Sequence, residues 1–152
     1  MLAAVLLGIQ HLALIVADVD RSRRFYGEQL GMEEIPRPEI FTFTGAWFRA
    51  GGQELHLIGA ADTTSAAGWP DPGPSAHSGL AGHLAIEVDD LDAERARLET
   101  NRVSVFAGPL KRGDGVVQLY VHDPDGHLVE LFAHTGADQR EAELRAPVRR
   151  AP

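Results

Sequence analysis

The chain has no cysteine among its 152 residues. That excludes disulfides, thiolate metal ligands and a cysteine nucleophile, so any metal must be held by His, Asp or Glu. Positive charge is also scarce. The 14 Lys and Arg residues face 22 Asp and Glu, for a formal net charge of −8. Nucleic acid is therefore not an expected partner, because binding it needs a basic face to displace counterions. A local pocket can still oppose the global sign and accept a small anion. The apolar N-terminus, MLAAVLLGIQHLALIVAD, has no Lys or Arg ahead of its apolar run and no clear small-x-small cleavage site. It is interrupted by Gln10 and His11 and is short for a membrane span. No membrane partner is expected, and a cytoplasmic protein fits these absences.

What is present is a sizeable apolar fraction, 44% of residues, enough to bury a core. The length suits one domain or two very small ones. Within it one phrase is written twice. GIQHLALIVADVD near the start is echoed by AGHLAIEVDDLD, and overlaying them matches His11 with His83, Leu12 with Leu84, Ala13 with Ala85 and Asp20 with Asp92. Each copy leads into a helical pattern. DRSRRFYGEQLG has Asp20 as a candidate N-cap and Gly31 as a stop, and DAERARLETN has Asp92 and Asn101 in the same roles. Strand signals follow: FTFTGAWFRAGGQELHLIG reads as strand, turn, strand, and VVQLYVHDPDGHLVELF as strand, Asp-Pro-Asp-Gly turn, strand.

The expected architecture is a single α+β domain, residues 1–152, of two paired βαβββ modules forming a cupped mixed sheet. The first spans 8–59 and the second 81–134, with a Gly/Pro/Ala/Ser-rich linker over 60–80 and a polar tail over 135–152.

Strand alternation places His11, Ala13 and Ile15 on one face and Leu12, Leu14 and Val16 on the other. His83, Ala85 and Glu87 share a face in the second copy. The Leu/Ile/Val faces suit the module's own helix, so the histidines look elsewhere. In the last strand of each module, His56 and Glu130 occupy matching slots. Glu130 lies among apolar neighbours, which costs energy unless something pairs with it. If the modules pack with pseudo-twofold symmetry, His11, His56, His83 and Glu130 converge. Three imidazoles and a carboxylate suit a divalent first-row metal, and a three-ligand subset leaves positions open for substrate. His56 has a second reading, as a residue that supports a ligand or faces the substrate. Glu87 reads either as a general base or as a rim carboxylate in water, with the rim favoured. Tyr120 reads either as a proton donor to substrate or as a packed core tyrosine. Trp47, Phe48 and Arg49 are candidates for a cavity mouth, and Lys111 and Arg112 for a loop that meets an anion. His77, His122, His127 and His134 read as exposed polar residues.

The two βαβββ halves, the phrases HLAL and GHLAIEVDDLD, and LYVHDPDGHLVEL together resemble the vicinal oxygen chelate superfamily. It includes glyoxalase I, fosfomycin-resistance thiol transferases, methylmalonyl-CoA epimerase, extradiol dioxygenases and bleomycin-resistance proteins. The resemblance covers roughly residues 8–134. It implies metal ligands at His11, His83 and Glu130, with His56 at a fourth slot where glyoxalase I and the epimerase usually carry Glu or Gln. The fosfomycin-type enzymes expect Thr where this chain has Ala13, and the dioxygenases expect a His upstream of Tyr120 where GPLKRGDGVVQ has none. The leading expectation is a glyoxalase-type lyase or isomerase. It would chelate neighbouring oxygens of a small substrate on a divalent ion (Ni, Zn, Mn or Fe), as a homodimer. The alternatives are a thiol transferase acting on an antibiotic, an iron-dependent ring-cleaving dioxygenase and a metal-free drug-binding protein. The last usually lacks the His/Glu set found here.

Overall fold

Residues 8–59 and 82–135 are described by the structure, a computed structural model. The expected linker over 60–80 and nearly all of the expected tail lie outside them. The element order is β1 (His11–Val16), α1 (Val19–Arg23) running on into a wider helical stretch (Arg24–Gln29), β2 (Glu33–Ile35), β3 (Gly45–Ala50), β4 (Gln53–Gly59), β5 (His83–Glu87), α2 (Leu91–Thr100), β6 (Val105–Lys111), β7 (Val116–His122) and β8 (Leu128–His134). Two four-stranded mixed sheets result, in the orders β1-β4-β3-β2 and β5-β8-β7-β6. In each, the first and last strands pair parallel and the others antiparallel. This is the repeated βαβββ of an α+β fold.

The described residues fall into two compact units. The first holds 8–59 together with the turn Asp123–His127, and the second holds 82–122 and 128–135. The turn between β7 and β8 therefore packs with the first unit, although it lies within the second βαβββ repeat in sequence.

In the first unit the core is formed by Leu14 and Val16 of β1, Phe25, Tyr26 and Leu30 of the helix, Phe48 of β3, and Leu55 and Leu57 of β4. The opposite sheet face carries His11, Trp47 and His56, as alternation requires. In the second unit Leu91 and Leu98 of α2 join Leu119 and Val121 of β7 and Val129 and Leu131 of β8 in the core. Each large side chain buried this way contributes about 1.5–3 kcal/mol relative to exposure.

The helix starts lie two residues earlier than the sequence suggested. The caps are Asp18 and Asp90, not Asp20 and Asp92. The Asp18 carboxylate accepts the Arg21 amide at 2.9 Å, and that of Asp90 accepts the Ala93 amide at 2.9 Å. The reason is packing: Val19 and Leu91, just after the caps, are buried and must enter the first turn. Gly31 follows the first helix with φ 68, as expected. The second helix ends at Asn101, but the left-handed residue is Arg102, with φ 59. Its amide donates to the Glu99 carbonyl, and that of Val103 to the Leu98 carbonyl, which closes the helix with a Schellman turn.

Residues 41–44, expected within a strand, lie outside β3. The Arg37 guanidinium takes the carbonyls of Phe41, Phe43 and Gly45, so the segment is held by a side chain rather than by a ladder. Between β6 and β7 the register shifts near Gly108. There φ is +100 and a Cβ would lie 2.7 Å from the Gln118 carbonyl oxygen, so only glycine fits.

Candidate functional site

Register explains which side chains meet. In the second unit Glu130 of β8 sits between Ala85 of β5 and Tyr120 of β7, with His83 one pleat away on the same face. His83 Nε2 lies 3.0 Å from Glu130 Oε2. The Tyr120 hydroxyl donates to the same oxygen at 3.0 Å. Arg112, from the β6–β7 loop, places Nη1 3.4 Å from Oε1. The Glu130 side chain is only 4% exposed, so these donors answer the cost of burying its charge. Burial first, and then the hydrogen bond and charge of Glu130, push the Tyr120 phenol up to about 12. Tyr120 therefore stays protonated and works as a donor that fixes the carboxylate.

The first unit builds the same pattern from other residues. His56 of β4 sits between Ala13 of β1 and Trp47 of β3. Its ring is sandwiched by His11, 4.2 Å away and 13° from parallel, and by Trp47, 3.9 Å away and 4° from parallel. Position by position, His11, His56 and Trp47 correspond to His83, Glu130 and Tyr120. His56 Nε2 donates to Glu54 Oε2 at 2.8 Å. His11 Nδ1 donates to the Gln10 Oε1 at 2.5 Å. The hydrogen bond from His56 and then that from Gln10 pull the Glu54 carboxyl below the usual carboxylate range. This holds Glu54 ionised, keeps the His56 proton on Nε2 and leaves the His11 Nε2 lone pair uncommitted to Gln10.

The remaining expected residues are placed as follows. Glu87 shares the His83 face, but its side chain is 57% exposed, with His134 Nε2 3.7 Å away. Arg49 pairs with the exposed Glu33 at 3.1 Å. Phe48 is fully buried in the core, on the face opposite His56. His122 packs edge-on to Phe106. His77 lies outside the described residues. His127 is a correction: it is buried, not exposed. Its Nδ1 donates to Asp123 Oδ2 at 2.7 Å, and the buried Tyr26 hydroxyl donates to the same oxygen at 3.0 Å. The other Asp123 oxygen accepts the Asp125 and His127 amides. Asp125 in turn accepts from the Ala17 amide, Arg21 and the Ser22 hydroxyl. Sequence reasoning saw only a turn here. The signal available was Asp followed two residues later by a second Asp and then Gly, which suits an Asx turn, but nothing local points to Tyr26.

A metal fits the second-unit pair. Two donors 3.0 Å apart, each about 2.1 Å from one ion, subtend roughly a right angle at it. His11 and His56 do not fit one ion as they stand. Imidazole lone pairs lie in the ring plane, and near-parallel stacked planes keep them from meeting, so one ring must turn first. Among the described residues no group of three or more His, Asp or Glu side chains is gathered to hold a metal. No described helix is long and apolar enough to cross a membrane.

Repeated βαβββ units, each setting a first-strand histidine beside a last-strand His or Glu, define the class of fold. The chain belongs to the Glyoxalase/Bleomycin resistance protein/Dioxygenase superfamily, whose model matches residues 8–131. It is 35% identical over 134 residues to a lactoylglutathione lyase of Haemophilus influenzae, covering 82% of this chain and 90% of the relative. It is 28% identical to glyoxylase I 4 of Arabidopsis thaliana, over 83% of this chain and 70% of the relative. A crystal structure of a glyoxalase/dioxygenase from Nostoc punctiforme superposes with a TM-score of 0.71 at 28% identity, covering 90% of this chain and all of that one.

Proposed function

We propose that the chain is a metal-dependent lyase or isomerase of glyoxalase type. The observation that carries this reading is the His83–Glu130 pair, 3.0 Å apart with its buried carboxylate held by Tyr120. Family membership and the lactoylglutathione lyase relative support it. His83 and Glu130 would hold the ion. By the internal repeat His11 would be a further ligand, while His56 takes its second reading and faces the substrate. The bound ion supplies Lewis acidity toward neighbouring substrate oxygens.

The chain's own residues do the rest. Tyr120 keeps the Glu130 carboxylate in one orientation. Glu54 holds the proton of His56 on Nε2, so Nδ1 is the basic nitrogen and the atom suited to moving a substrate proton. Trp47 packs flat on His56 and fixes the plane of that ring. The substrate is small and oxygenated, and the first to test is the adduct of glutathione with a 2-oxoaldehyde. The homodimer and the cytoplasmic setting belong to the same proposal.

The test is turnover of that adduct to lactoylglutathione by purified protein reloaded with Ni, Zn, Mn or Fe, with bound metal measured by elemental analysis. Turnover lost in His83→Ala supports the reading. Stoichiometric metal binding by no member of the series, together with unchanged ligand binding in His11→Ala, would sink it. Oxygen uptake on a catechol with ferrous iron would assign a ring-cleaving dioxygenase instead.

A further inference from the structure

Arg112 is shared between two carboxylates of unequal standing. Asp114, exposed and two residues away on the same loop, grips it firmly. Nε lies 3.1 and 2.9 Å from the two Asp114 oxygens, and Nη2 lies 2.9 Å from Oδ2. Glu130, almost fully buried, receives only a long contact of 3.4 Å from Nη1 to Oε1. The guanidinium also lies 5.8 Å from the Phe132 ring centroid. Its own side chain is 43% exposed, so it can reach solvent without opening the core.

From this geometry we infer that Arg112 is a resident counter-cation of Glu130, displaced onto Asp114 when a divalent ion binds, and that it thereby sets the metal affinity of the His83/Glu130 pair. The inference rests on the metal reading given above. A buried carboxylate is costly without an opposing charge. The His83 ring supplies a proton to Oε2 but must give up that contact to serve as a ligand. Arg112 is the one full positive charge that the described residues place against Glu130. A dication at the same carboxylate repels it, and the long Nη1 contact is the one that yields. Asp114 already holds the opposite edge of the guanidinium, so the displaced charge has a place to stay. Metal binding is therefore weaker than the donor pair alone would make it.

The expected sizes follow from charge. A unit charge a few ångströms from a dication, half-screened by water, changes its affinity by about tenfold or more. Affinity for Zn²⁺ is measured by competition with a chromophoric chelator on the full chain, with circular dichroism confirming the fold. Arg112→Gln and Arg112→Met are each expected to bind Zn²⁺ about tenfold more tightly than the parent. Arg112→Lys, which keeps the charge and loses the fork, is expected to stay within about twofold of it. Asp114→Asn removes the parking place and is expected to weaken binding severalfold. A purely structural arginine would not separate Lys from Met in this way. If Arg112→Gln and Arg112→Met bind Zn²⁺ no more tightly, or more weakly, while the parent binds it, the inference falls and the metal site stands. If neither the parent nor these variants bind Zn²⁺, both fall.

Discussion

Tyr120 and Glu130 face each other across the β7–β8 ladder, and the phenol donates to the carboxylate at 3.0 Å. Tyr120→Phe leaves one oxygen of a buried carboxylate short of a donor, which should cost about 1–3 kcal/mol in denaturant unfolding. The pH dependence has a definite sign. The folded state raises the phenol from its ordinary 10 to about 12, so it holds the proton more tightly than the unfolded chain does. That contribution is fully present below pH 10 and is lost as pH rises from there through about 12. Tyr26 is shifted the same way, so Tyr120→Phe should flatten the alkaline fall without abolishing it. An identical fall in both proteins would refute the role.

Asp123 ties Tyr26 and His127 together inside the first unit. Asp123→Ala strands a buried hydroxyl and a buried imidazole donor at once and also frees two amides. A loss of about 3–5 kcal/mol is expected. Tyr26→Phe removes one donor and keeps the packing, so about 1–2 kcal/mol is expected. Equilibrium unfolding in urea measures both. Equal losses in the two variants would mean that the carboxylate serves Tyr26 alone.

Much of this fold was legible because it is written twice. The repeated His-Leu-Ala phrase, two-residue alternation and apolar helix faces locate β1, β5, β4 and β8 and tell the His face from the core face. Tyr120 needed the hairpin register, which no local pattern supplies; once Tyr120 pairs with Glu130, its face is settled. His127 was misread for a related reason. Its burial depends on Asp123 reaching Tyr26, far away in sequence, and a histidine beside a turn looks exposed to any local rule. The caps were misplaced because Asp18 and Asp20, like Asp90 and Asp92, are chemically alike. Burial of the residue that follows, Val19 or Leu91, decides between them. The stack of His11, His56 and Trp47 depends on side-chain rotation, which alternation does not report.

The helix ends give a paired test. Asp18→Ala and Asp90→Ala should each cost about 1 kcal/mol, because each carboxylate accepts a first-turn amide. Asp20→Ala and Asp92→Ala should cost a few tenths at most, through the helix dipole and, for Asp20, its exposed 3.4 Å pair with Arg23. At the other end, Arg102 holds a left-handed conformation at φ 59. Arg102→Gly should stabilise by about 0.5–1 kcal/mol, the relief of that conformation less the added freedom of the unfolded chain. Thermal melts of the five variants decide it, and a destabilised Arg102→Gly would show that the arginine side chain matters more than its backbone.

Glu87 and Glu130 share the His83 face of one sheet yet stand in opposite surroundings. Glu130 is buried and held by three donors, while Glu87 is exposed, with a 3.7 Å contact to His134. If, as proposed, Glu130 supplies charge to a dication, an amide cannot replace it at low cost. Glu130→Gln should therefore lower Zn²⁺ affinity by at least about a hundredfold. It should lower turnover of the glutathione adduct in step. An exposed carboxylate is already solvated and its removal disturbs nothing packed, so Glu87→Gln should keep both quantities within about threefold of the parent. Chelator competition and the turnover assay, run side by side on the two variants, separate the roles. If Glu87→Gln kept Zn²⁺ affinity but lost turnover, that carboxylate would be the proton-transfer group, and that role would pass to it from His56.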